Sequence, residues 1–463
     1  MSIRTIALPA LALSLLLTVG GNAATASADA PTDPTTTTAP ALPTGDVPVS
    51  VAATGSQDVA LATPSTSGAP ATVYTPGLKL DSYDQQSGEA VLASGDAADP
   101  NAAAASQAAS SVQAGQLIDS PPTPAAQQGA LVAVTAVRAA GDGKVAVSTR
   151  PATLSELLGR IKAYGRSAID PHTIQVHPLV KDLKASFTGQ NGDGNGSVSA
   201  TLHLDANAPI ALPGGASGKL DGSLDLTPVV DFSYQGAVDS ILKPQKARVG
   251  FDLGAHANWH VNAELGASAT PIKVPLATFT ASPVLMVGQV PVVVTLNLTL
   301  TAQISADGKV TVDTQQDITG NWGVHADYTR DQGWTTATDP ASTTVSPVRV
   351  RLAGTASVRT GLIADASVAL YDTVGVKADI EPYLRSTVDG SLAIDSSGAP
   401  PVIEGQAALY GGIDVNGGLL VRIPFLGPLF EKDVTFPVLH REWPIVKQSI
   451  STGTDSTDTT TDS

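Results

Sequence analysis

The sequence predicts an all-β protein, mainly antiparallel: a large elongated β-sandwich or barrel-like sheet with one short amphipathic helix. Three observations carry that expectation. Long stretches place apolar residues at every second position, turn residues punctuate them, and only one segment has the period of a helix. The longest alternating stretch runs from Val348 to Leu370, where the even positions read Val348, Val350, Leu352, Gly354, Ala356, Val358, Thr360, Leu362, Ala364, Ala366, Val368 and Leu370. The odd positions between them include Arg349, Arg351, Arg359 and Asp365. A period of two puts alternate residues on opposite faces of a strand, one face buried and the other wet.

Taken in order, the chain starts with Arg4, an apolar run from Thr5 to Val19, and small residues ending in Ala26-Ser27-Ala28. A positive start, a short apolar core and an A-x-A site describe a secretory signal peptide over 1–28, cleaved after Ala28. The run falls short of the roughly 20 residues a spanning helix needs. Residues 29–72 are rich in Pro, Thr, Ala and Ser and read as a disordered spacer.

Residues 73–184 read as a small β-rich region. Its Ala-rich stretch, Asp99 to Gly115, suits either a short helix or a loop. Leu131–Val137 and Lys144–Thr149 flank Gly141-Asp142-Gly143, the pattern of a β-hairpin. Thr153 and Glu156 form a capping box. Leu154, Leu157, Leu158 and Ile161 follow as one apolar stripe, and Gly165 is placed to end a helix over 154–165.

Residues 185–446 read as one large antiparallel β domain. Phe251, Leu253, Ala255, Ala257, Trp259, Val261, Ala263 and Leu265 share odd parity, and Val292, Val294, Leu296, Leu298, Leu300, Ala302 and Ile304 share even parity. Ala407, Leu409, Ile413, Val415, Leu419, Val421 and Ile423 are odd again. Asp307-Gly308, Asp389-Gly390 and Asn416-Gly417 have the composition of hairpin turns between such runs. Strands of this length reach about 45 Å at roughly 3.3 Å per residue, unless an internal glycine bends them. Residues 447–463 are mostly Ser, Thr and Asp and read as a disordered tail.

Composition excludes several classes of function. The formal charge is −16, with 26 basic and 42 acidic residues, which argues against nucleic-acid binding. No cysteine is present, so disulfides and thiolate metal sites are excluded. The most apolar internal stretch, Val284 to Leu300, is broken by Gln289, Pro291 and Asn297, so no transmembrane helix is expected. Aromatics at 4% leave few rings for the two interfacial girdles of a membrane barrel.

The chemistry-bearing motifs are sparse. Asn191-Gly-Asp193-Gly-Asn195-Gly196 opens like a calcium loop, but position 12 is Leu202 where a bidentate carboxylate is needed, so a turn is expected. His256 and His260 would lie about 13 Å apart on a strand, on the face carrying Asp252, Asn258, Asn262 and Glu264, which reads as a solvated face. His172, His177, His203, His325 and His440 show no ligand spacing, and no G-x-S-x-G elbow occurs. Asp225, Asp231, Glu264 and Glu404 could pair in space as in a glycosidase, which one sequence does not reveal. No cofactor or metal is expected.

Two segments stand out as contact candidates. Trp322, Tyr328 and Trp334 bracket a polar stretch, and exposed rings there would suit a glycan. Trp322 and Tyr328 share parity with Val324 and Ala326, which favours the core for both; Trp334 is the expected exposed ring. Ile423–Phe430 is an apolar loop carrying Phe425, Leu426, Leu429 and Phe430, fit either to plug one end of the sheet or to engage a lipid or partner.

The stretch Gly115–Pro124, with Gly129–Val137 and Thr149–Glu156, resembles a segment of exported, β-rich bacterial proteins of actinobacterial type. Met286–Thr295 and Ile304–Lys309 are similar to their later strands, so the resemblance covers about Gly115 to Ile304. It implies the same β-rich architecture and carries no catalytic residues. The sequence thus leads to a secreted, extracellular or loosely surface-held, non-enzymatic protein acting in surface interaction or structure. Its expected partners are a cell-surface glycan, a protein or an apolar ligand. A hydrophobic-ligand carrier is the alternative, and an envelope β-barrel pore the third.

Overall fold

The computed structural model describes residues 46–52, 58–94, 112–141, 144–189, 200–211, 217–237, 243–267, 270–339, 341–395, 399–421 and 434–449. These form two β-sheets, one of 16 strands and one of seven. The fold is all-β and mainly antiparallel, as the alternation requires.

The chain enters the large sheet at β1 (Val47–Val51), then builds most of the small sheet from β2 (Ala60–Thr63), β3 (Thr72–Tyr74), β4 (Leu78–Asp84) and β5 (Glu89–Ser94). The small sheet is completed by β6 (Leu117–Ser120), β7 (Ala130–Gly141) and β8 (Lys144–Pro151). β7 and β8 pair down to Gly141 against Lys144, the hairpin expected there. Both faces of this sheet are buried along β6 and the first residues of β2 and β7. Leu61, Ile118 and Val132 pack in its own core, while their neighbours Ala62, Leu117 and Ala133 join the core of the large sheet.

Helix α1 (Leu154–Leu158) has the capping box: the Glu156 amide donates to the Thr153 hydroxyl, and the Thr153 amide to the Glu156 carboxylate. It is five residues long, shorter than the expected 154–165, because Gly159 at φ 61° turns the chain out. Gly165, read as the helix stop, lies within β9 (Lys162–Ala168).

The remaining strands belong to the large sheet. They are β10 (Gln175–Pro178), β11 (Lys184–Gly189), β12 (Ala200–Ala211), β13 (Ser217–Gly236), β14 (Pro244–Leu265), β15 (Ile272–Ala281) and β16 (Val284–Val287). They continue as β17 (Val290–Ala306), β18 (Lys309–Thr329), β19 (Gly333–Thr338), β20 (Ser342–Leu370), β21 (Val374–Ile394), β22 (Val402–Val421) and β23 (Val434–Ser449). Two expected boundaries shift. β1 and β2 lie inside the stretch read as a spacer, and β1, β9 and β10 join the large sheet, so 73–184 is not a separate β region. Lys447–Ser449 belong to β23, not to a tail.

Three glycine dipeptides that read as hairpin turns lie within continuous pairing. β17 and β18 run end to end along the same edge of β20, pairing Ala306 with Val358 and Lys309 with Thr355, so Asp307-Gly308 is a bend. Asp389-Gly390 sits inside β21 and Asn416-Gly417 inside β22. Gly354, Gly390 and Gly405 are direct cross-strand partners on β20, β21 and β22, at φ of +144°, +119° and +88°. One row of glycines thus bends three adjacent strands at the same height. A Cβ at Gly390 would overlap the Glu404 carbonyl.

The large sheet also closes on itself. Pairing runs β17, β16, β1, β9, β13, β14, β18, β20 and back to β17. β1 completes the circuit, antiparallel to β16 and parallel to β9. The interior is the expected apolar face: of the even positions from Val348 to Leu370, all but Val348 and Gly354 are buried. Leu204, Leu220 and Trp259 approach Leu276, Leu300 and Leu362 across a gap of about 30 Å³. A second gap, of about 20 Å³, separates Phe251 and Leu253 from Phe279 and Leu296. Spaces of this size admit water and little else.

Gly390→Ala should cost about 1–3 kcal/mol of unfolding free energy through strain at positive φ. Urea unfolding of the two proteins checks this; equal midpoints would mean that the bend does not need glycine.

Candidate functional site

A groove between the two sheets encloses about 420 Å³ with a mainly apolar lining. That lies within the range of small-molecule sites, about 300–1,000 Å³. Four local structures supply most of it. Leu131 and Val132 come from β7, Leu154 and Ser155 from α1, Tyr328 and Trp334 from the β18–β19 hairpin, and Leu370, Tyr371 and Val374 from the β20–β21 hairpin.

The β18–β19 turn closes through Gly333 at φ +70° and a bond from the Gln332 amide to the Thr329 hydroxyl. Its closure makes Tyr328 and Trp334 direct cross-strand partners, ring centroids 5.4 Å apart and planes tilted by 56°. The β20–β21 turn holds Tyr371 and Asp372 at φ 48° and 54°, with the Thr373 amide and hydroxyl both donating to the Leu370 carbonyl. Tyr234 joins from β13; its hydroxyl donates to the Gly159 carbonyl at 2.8 Å, and burial pushes the phenol up to about 12. Tyr83 lines the groove from the small sheet, and burial raises it too.

Behind Tyr371 lies the most perturbed carboxyl described. Asp119 on β6 is 1% exposed, and burial pushes it up to about 8 against the lowering effect of its Tyr371 hydrogen bond. The Tyr371 hydroxyl lies 2.9 Å from Asp119 Oδ1 and 3.3 Å from the Pro291 carbonyl, while Asp119 Oδ2 has no partner. A neutral Asp119 can donate to the phenol oxygen, freeing the phenol proton for Pro291. The neutral carboxyl therefore satisfies more of this cluster than the ionised one, and it ties the small sheet to the β20–β21 turn.

A second space of about 420 Å³ is polar and lies on the outer face of β9, β13, β14 and β18. Its arginines are already engaged, while Asp231 Oδ1 has no hydrogen-bond partner. Arg166 pairs with Asp252, and Arg248 bonds Asp327 at 2.7 and 3.0 Å while lying 3.6 Å from Asp231. Burial raises Asp231, opposed by Arg248 and Arg166. His325 lies 3.2 Å from Asp327 and 3.7 Å from Asp339.

The same motif recurs farther along that face. His256 sits between Asp225 at 3.8 Å and Asp317 at 2.9 Å, and His260 between Asp221 at 3.5 Å and Asp313 at 2.6 Å. His203 lies between Asp225 and Asp205, and the Asp225 hydrogen bond holds it above its usual value. The His256–His260 face is indeed the outward one, opposite buried Ala257, Trp259 and Val261. Among the described residues no group of three or more His, Asp or Glu is placed to hold a metal ion.

The contact candidates separate. Tyr328 and Trp334 meet in the groove, both partly exposed. Trp322 does not: it is 3% exposed, its ring covers Gly320, and its Nε1 donates to Thr343 Oγ1 at 2.9 Å. Phe425, Leu426, Leu429 and Phe430, like the Asn191–Gly196 loop, lie outside the described residues. Sequence reasoning missed Tyr83, Tyr234, Tyr371 and Asp119, which only the strand order brings together. Comparison with protein-family models, curated proteins and solved structures finds no match to this chain.

Asp119→Asn should flatten a pH dependence. A carboxyl raised in the folded state gives stability that is full below its unfolded value, about 4, and is lost as pH rises toward the folded value near 8. The wild type should therefore lose a few kcal/mol, in order of magnitude, across that window relative to the Asn variant. Denaturation curves at pH 5 and pH 8.5 decide; parallel losses in both proteins would show that Asp119 is not the titrating group.

Proposed function

We propose that this chain is an exported, non-enzymatic binding protein that holds a ligand with an apolar face in the groove between its two sheets. The observation that carries this reading is the groove's lining. Five aromatic rings (Tyr83, Tyr234, Tyr328, Trp334 and Tyr371) and aliphatic side chains from both sheets converge on one half-open space. No carboxylate or imidazole is among the described residues that line it. A lining of this kind binds by excluding water from apolar surface.

The groove favours an apolar ligand over a glycan. Tyr328 and Trp334 pack on each other, ring centroids 5.4 Å apart, so part of each ring is already covered by the other. It also moves the binding site out of the sheet's interior, where gaps of about 20 and 30 Å³ leave no room for a carrier's cargo. A pore is disfavoured because the described outward positions carry Asp, His and Arg, the reverse of the apolar exterior that a lipid-facing barrel presents. Export rests on the signal-like residues 1–28, outside the described part of the chain.

N-phenyl-1-naphthylamine, a neutral apolar fluorophore, should brighten on binding. Trp334→Ala should weaken that binding at least about fivefold, since a buried aromatic contact contributes on the order of 1 kcal/mol or more. No brightening with the wild type, or equal affinities for both proteins, would remove the groove as the binding site.

A further inference from the structure

The groove carries a charge cue as well as an apolar lining. Lys243, at the start of the segment leading into β14, lines it together with Pro244 and Ala247 and is exposed. It is the one cation among the described residues of the lining. No ion pair or hydrogen bond occupies its ammonium among the described residues. Other described lysines and arginines are committed, among them Lys144 to Asp81, Lys162 to Asp46, Arg248 to Asp327 and Arg385 to Glu442. Asp119, bonded to the Tyr371 hydroxyl, is pushed by burial toward its neutral form, and Asp84 beside Tyr83 accepts from the Ser87 hydroxyl and the Gln86 amide.

We propose that the groove takes an amphipathic anion of the fatty-acid class, its acyl chain against the aromatic and aliphatic lining and its carboxylate on the Lys243 ammonium. This rests on the reading of the groove as the binding site and adds the chemistry of the ligand's head. An uncommitted ammonium at the edge of an apolar surface suits a ligand whose charge ends where its hydrocarbon begins. On a chain of net charge −16, an anion is held off everywhere that carboxylates dominate and is received only at a free cation. A neutral apolar molecule of equal length gains nothing from that cation, so affinity for the acid over the alcohol is the signature.

The test compares decanoate with decan-1-ol by titration calorimetry on the full chain, using wild type and Lys243→Gln. Wild type should bind decanoate about three- to fivefold more tightly than decan-1-ol, the worth of an exposed ion pair. Lys243→Gln should bring decanoate down to the level of decan-1-ol and leave decan-1-ol unchanged. Equal affinities in wild type, or an acid preference that survives Lys243→Gln, would overturn the assignment of the head while leaving the groove as a binding site. If neither compound binds, the groove reading itself fails.

Discussion

Strand β20 pairs along one edge with two successive strands, and the rest of the large sheet depends on that shared edge. β17 and β18 lie end to end against its 29 residues, separated only by the bend at Asp307-Gly308. From the bend, the other edges of β17 and β18 lead in two directions, to β15 and β16 on one side and to β14 and β13 on the other. Because every strand keeps its apolar residues on one face, the two arms can bury them only against each other. Closure through β1 follows from that requirement.

Glycine is what lets strands of this length curl. The row Gly354–Gly390–Gly405 bends β20, β21 and β22 together, where side chains at positive φ would be strained. Elsewhere glycine makes room for rings. The Tyr383 ring lies across Gly412 on the next strand, under the Arg359 guanidinium at 3.5 Å, and the Trp443 indole covers Gly411. The open edge is handled differently. β23 carries Pro437 and Pro444 beside the two register shifts in its pairing with β22, devices that make a strand a poor template for another chain.

Parity was legible in the sequence because burial of one face leaves a residue-by-residue record. The inward sets on β14, β17 and β20 can be read directly from alternation; on β22 it holds from Ala407 to Val415 and breaks at buried Leu420. Turn position was not legible in the same way. Asp-Gly at 307–308 and 389–390 has the composition of a hairpin, and only the backbone angle and the partner strand distinguish a bend from a reversal. β1 left a faint trace, since Val47, Val49 and Val51 alternate within a Pro- and Thr-rich surrounding. The groove left almost none. Tyr328 and Trp334 could be noticed because they are close in sequence. Tyr83, Tyr234, Lys243 and Tyr371 belong to it only because sheet topology collects them.

The contact between Asp119 and Tyr371 spans 252 positions of the chain. β1, near residue 50, likewise waits for β16, near residue 286. Neither can form early as the chain is made in order; each waits for a strand or turn made more than 200 residues later. Ring closure must pay its loop entropy late, after many shorter hairpins have formed, so the last step of assembly is slow and cooperative. Until it occurs, the edges of β9 and β16 that β1 covers lie open to any other strand. The molecule's most vulnerable moment is therefore its own maturation, which favours a setting where copies are dilute or escorted while they fold.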